Sequence, residues 1–63
     1  MHIITVKQND AGKFDVLING VSYRIHRNLG ADIAAERASE IKNEFMAMKQ
    51  RAVIETLIAE RLH

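Results

Sequence analysis

The sequence predicts an α+β fold: a three-stranded antiparallel β-meander followed by a long C-terminal helix. Three observations carry that expectation. Asn19-Gly20 separates two runs rich in apolar residues, Phe14 to Ile18 and Val21 to Ile25. An earlier turn signal, Asn9 to Lys13, stands just ahead of the first run. From Ala31 to Leu62 there is neither glycine nor proline, and good or acceptable helix formers predominate.

Asn-Gly is the strongest short-range hairpin signal, because a type I′ turn needs positive φ at both central residues. Closing that turn with Ile18 opposite Val21 sets Val16 opposite Tyr23 and Phe14 opposite Ile25. All six apolar side chains then share one face. The earlier turn fits a three-residue loop, Asp10-Ala11-Gly12, with Gly12 in the left-handed position. Asn9 then opposes Lys13, Val6 opposes Val16 and Ile4 opposes Ile18. Two turns placed independently thus converge on one apolar face. The opposite face carries Ile3, Thr5, Lys7, Lys13, Asp15, Leu17, Ser22, Arg24 and His26. On it Lys7 stands beside Asp15, which in turn opposes Arg24.

Helix is expected to begin after Arg27, capped by Asn28 or, beyond a short Leu29-Gly30 turn, by Asp32. Asp32 and Glu36 suit its positive N-terminal end. The chain is then one domain, 1–63, with the meander in 1–27 and the helical region in 29–62. Run unbroken from Ala31 to Leu62, the helix would span about 48 Å, against about 20 Å for a six-residue strand.

The apolar stripe of this helical half changes sides. Ala34, Ala38, Ile41, Phe45, Met48 and Ala52 mark one face. Val53, Ile54, Leu57, Ile58 and Leu62 mark another, roughly 170° around the axis. One core cannot cover both. Either the helix kinks or splits near Lys49 to Arg51 and doubles back, or the second face packs on another molecule. The bend lacks glycine, asparagine and proline. The expectation is therefore a homodimer with Val53, Ile54, Leu57, Ile58 and Leu62 at its interface. Burying four such side chains contributes about 1.5 to 3 kcal/mol each before ordering costs, and twofold dimers are the commonest closed assemblies.

Composition narrows the function. A 63-residue chain builds a thin core, and small domains gain stability from disulfides, a metal or oligomerisation. Cysteine is absent, and His2, His26 and His63 lack metal-ligand spacing, so neither metal nor cofactor is expected. A cysteine-free chain suits a reducing cytoplasm. No leader-like start or apolar stretch of about 20 residues is present, which points away from a membrane. Net charge is +1, an argument against a dominant polyanion-binding role. The distribution is uneven: residues 1–28 sum to +2 and residues 29–63 to −1.

A catalytic constellation is not evident. Ser22 and Ser39 lie outside any G-x-S-x-G elbow. His26, on a thin sheet, lacks the concave site that catalysis needs. Glu36, Glu40 and Glu44 at spacings of four read as a solvated helix face moderated by Arg37 and Lys42. Gly12, Gly20 and Gly30 belong to turns rather than to a phosphate loop. Met46 and Met48 read as core or dimer filler. The expected function is a non-enzymatic interaction or regulatory role as a homodimer that engages a protein partner. The alternative is DNA or RNA binding through the exposed sheet face, with Lys7, Lys13, Arg24, His26 and Arg27 contacting phosphates or base edges.

Overall fold

A computed structural model describes residues 1–55 and 58–59. In chain order it contains β1 (His2–Gln8), β2 (Phe14–Ile18), β3 (Val21–Ser22), a 3₁₀ turn (Arg24–His26), α1 (Ala31–Ala47), β4 (Ala52–Ile54) and β5 (Ile58–Ala59). The sheet order is β3-β2-β1-β4, and β5 pairs with β1 further along the same edge. β1 is antiparallel to β2 but parallel to β4 and β5, so the fold is α+β with a mixed sheet.

Both turns form as their residue types dictate. Asn19 and Gly20 adopt φ of 52° and 81°, and Gly12 adopts 76°. The resulting pairs include Ile4 with Ile18, Val6 with Val16, Lys7 with Asp15, and Ile18 with Val21. Asn9 organises the first turn. Its Oδ1 accepts the N–H of Ala11 and of Lys13, and its Nδ2 donates to Asp15 Oδ1 and Asn28 Oδ1. These bonds hold the loop that the φ of Gly12 permits.

Beyond Ser22 the chain departs from a straight third strand. Leu17 pairs with Ser22, but Phe14 pairs with Leu29 instead of Ile25, each exchanging N–H and C=O at 2.8 Å. The register opposite Phe14 is thus shifted by four residues, and the 3₁₀ turn lies within the looped-out segment. Tyr23 and Ile25, expected in the core, are 46% and 74% exposed, and Arg24 is carried away from its place opposite Asp15. Asp15 Oδ1 instead accepts the N–H of Asn28, which stands at φ 57° and caps no helix. The loop removes about 13 Å of strand. That retraction starts α1 level with Phe14, so the helix lies over the sheet rather than past its end. Leu29 replaces Ile25 against the core.

The helix begins at Ala31 with Gly30 as N-cap and Asp32 in its first turn. It packs Ala34, Ala38 and Ile41 on Ile4, Val6 and Val16, with Phe14, Ile18, Leu29 and Phe45 at the margin. Alanine at two contact positions lets the helix approach closely, and Ile4 and Val16 are fully buried beneath it.

α1 stops at Ala47, which corrects the expectation of helix through residues 29–62. The Gln50 N–H bonds to Phe45 O and the Lys49 N–H to Met46 O, both at 2.9 Å, while Lys49 takes φ 58°. This is a Schellman stop with lysine in the place usually held by glycine. The chain then reverses into β4, pairing His2 with Ala52, Ile3 with Val53 and Ile4 with Ile54. Neither an overhanging helix nor a second helix of a hairpin occupies residues 52–54. Strand wins there because it satisfies the second backbone edge of β1 and buries Ala52 in the core. Ile54 and Ile58 are four positions apart in sequence, whereas their register partners Ile4 and Lys7 are three apart. Leu57 and Leu62 lie outside the described residues.

His2 pins the meeting point of hairpin, helix end and β4. Asn19 Oδ1 accepts the Ile3 N–H at 2.9 Å, which orients the amide so that Nδ2 donates to His2 Nδ1 at 3.2 Å. With Nδ1 accepting, the proton resides on Nε2, which donates to Gln50 Oε1 at 2.6 Å. The ring also stacks on Phe45, centroids 3.9 Å apart. His2→Ala is expected to lower stability by about 1–2 kcal/mol, read from urea unfolding. Lys49→Gly should raise it by about 0.5–1 kcal/mol, because glycine adopts positive φ without steric cost. An unchanged or lowered thermal midpoint for Lys49→Gly would contradict the left-handed stop.

Candidate interaction surface

Two surfaces carry the candidate residues: the open edge of β4 and the sheet face turned away from α1. At the first, β4 pairs with β1 on one side, and no described strand pairs with it on the other. The strand carries its own markers. Val53 and Ile54 are 42% and 38% exposed, and charged Arg51 and Glu55 flank them. Side chains alternate along a strand, so Arg51, Val53 and Glu55 lie on the outer face, whereas Ala52 and Ile54 lie on the face that α1 covers. Glu55 is held there by Thr5, whose hydroxyl donates to Oε2 at 2.7 Å.

Beside this edge is an apolar hollow of about 400 Å³ lined by Met1, Met46, Lys49, Gln50, Arg51, Ala52 and Val53. Its base arises because Ala52 is small and α1 ends at the same level. Lys49 and Arg51 give it a cationic rim. Sequence reasoning places Val53 and Ile54 at an interface but assigns them to a helix. Ile58 lies in β5, in register with Lys7. Arg51, Glu55 and Met1 are missed as site residues, whereas Met46 is read as core or dimer filler. The available signal was the β-branched pair Val53-Ile54 between two charges, a short run that fits strand and helix templates alike.

The second surface holds the residues proposed for nucleic-acid contact, but the structure does not bring all five together. Lys7 is half-buried on the outer face, opposite Asp15, beside a shallow polar hollow that also includes Asp10, Leu17 and Ser22. Arg27 is held back on Ser22, donating from Nε to the hydroxyl at 2.9 Å and from Nη2 to the carbonyl at 3.2 Å. Lys13 is exposed in the first turn and Arg24 in the 3₁₀ turn. His26 turns toward the helix. Acidic and basic groups therefore interleave on this face.

His26 and Arg37 tie the looped-out turn to α1. Arg37 Nη1 donates to His26 Nδ1 at 3.0 Å and to the Ile25 carbonyl at 3.1 Å. A guanidinium only donates, so Nδ1 accepts and the imidazole is neutral. The Tyr23 ring meets His26 edge-on. Partial burial and the Arg37 charge push the His26 pKa below its ordinary 6.5, with Glu44 opposing. Among the described residues no group of three or more histidine, aspartate or glutamate side chains gathers to hold a metal, and no helix is long and apolar enough to cross a membrane.

No family model, curated protein or solved structure matches the chain.

The histidine yields a pH expectation. Above 6.5 it is neutral in both folded and unfolded chains and contributes no pH dependence. As pH falls below 6.5 the unfolded chain binds the proton first, so folded-state stability declines toward the lowered pKa. Urea midpoints at pH 7.5 and 5.5 should therefore differ more for the wild-type chain than for His26→Gln. Equal differences would show that burial and Arg37 do not lower the His26 pKa in the folded chain.

Proposed function

We propose that this protein is a small non-enzymatic interaction protein, acting as a homodimer built through its C-terminal segment and presenting its remaining surface to a protein partner. The observation that supports this most is the open edge of β4, where exposed Val53 and Ile54 adjoin the hollow lined by Met1 and Met46. An edge strand offers unpaired N–H and C=O groups, and apolar side chains beside it add the burial that association needs. The small core supports the same reading: Ile4 and Val16 are its only large, fully buried side chains among the described residues.

The interface differs in kind from a helix pair. A strand edge gains affinity from main-chain hydrogen bonds and specificity from alternate side chains. Sedimentation equilibrium of the full chain at micromolar concentration is expected to give twice the monomer mass. Val53→Asp should raise the dissociation constant by at least about tenfold through like-charge juxtaposition at the interface. A wild-type chain that sediments as a monomer rejects the proposal.

A further inference from the structure

We infer that the open edge of β4 takes the β4 of a second copy in antiparallel pairing, with the twofold axis passing through Val53. This rests on the self-association reading above and specifies its register. The hydrogen bonds of the strand set the first condition. The Arg51 carbonyl accepts from the His2 N–H at 2.7 Å, and the Glu55 N–H donates to the Ile4 carbonyl at 2.8 Å. Residues 51, 53 and 55 therefore direct their backbone groups to β1, and alternation leaves those of Ala52 and Ile54 aimed at the open edge.

Only one twofold register uses both. With the axis at Val53, Ala52 faces the partner's Ile54 and Ile54 faces the partner's Ala52. Each pair exchanges two hydrogen bonds, and every outward group is satisfied. An axis at Ala52 would set Ile54 against the partner's Gln50, whose N–H is already committed to Phe45 in the helix stop. An axis at Ile54 would set the Glu55 carboxylate against the partner's Val53.

Side-chain chemistry selects the same register. On the outer face Val53 meets the partner's Val53, and Arg51 meets the partner's Glu55 at both ends of the pairing. All three are exposed in the single chain. Edge strands that resist association carry like charges, commonly lysine. Here the two charges are opposite in sign and equidistant from Val53, so the strand is complementary to itself. Glu55 spends one carboxylate oxygen on Thr5 and keeps the other for a guanidinium. On the inner face the partner's Ile54 falls opposite Ala52, whose small side chain opens the hollow beside Met46. The isoleucine fills that hollow.

The register is tested on the full chain, which contains no other cysteine. Val53 forms a non-hydrogen-bonded pair with its equivalent, a Cα separation of about 4.5 Å that lies within disulfide range. Val53→Cys is therefore expected to give a disulfide-linked dimer under mild oxidation. Ile54→Cys, displaced two residues from its equivalent, is expected to remain a thiol. In sedimentation, Arg51→Glu and Glu55→Arg should each weaken the dimer at least about tenfold, and the double exchange should restore it, since the opposed charges are then recovered. A monomeric wild-type chain would overturn both the register and the self-association on which it rests. A dimeric wild-type chain in which Val53→Cys stays reduced, or in which the double exchange fails to restore affinity, would overturn the register alone.

Discussion

The fold is governed by the need of β1 for hydrogen-bonding partners on both sides. Its Ile4 is fully buried, so the adjacent backbone cannot be left to water. β2 supplies one side through a tight local turn. The other side must come from a segment about fifty residues away in sequence. The retraction of the third strand by four residues, the length of α1 and the left-handed Lys49 together return the chain beside His2 at the right height. His2 then records the fit, bonding to Asn19 of the hairpin and Gln50 of the helix stop while stacking on Phe45.

Those parts were unequally legible in the sequence. The hairpin registers could be read residue by residue, because Asn19-Gly20 and Asp10-Ala11-Gly12 specify their turns through local φ requirements and the apolar alternation fixes parity. The inner face of α1 was legible too, in Ala34, Ala38, Ile41 and Phe45. The retraction at Tyr23 was hidden, because it depends on a contest between Ile25 and Leu29 for the place opposite Phe14 that only the position of the helix decides. The end of α1 was hidden for a different reason: a lysine in a left-handed conformation carries no compositional sign.

The change of side in the apolar stripe has a different cause from the one expected. A period of 3.6 residues was projected through Ala52 to Ile54, where the chain has the period of two of a strand. Val53 and Ile54 therefore fall along a strand edge, not along a protruding helix. Val53 and Ile54 retain their place on a candidate surface, while the charges that frame them, Arg51 and Glu55, acquire meaning only once the strand is known. Mixed charge around Lys7 and Asp15 likewise becomes a property of paired strands rather than of separate residues.

Parallel pairing of β1 with β4 also shapes the time course of folding. Such contacts between distant parts of a chain form late, after the entropy of closing a long loop has been spent. During synthesis the hairpin and α1 can form as they leave the ribosome, but β1 keeps one bare side until Ile54 has followed. The nascent chain therefore passes through an interval in which the strand carrying Ile4 and Val6 is only half sheathed, and it is closed by strands made after the helix.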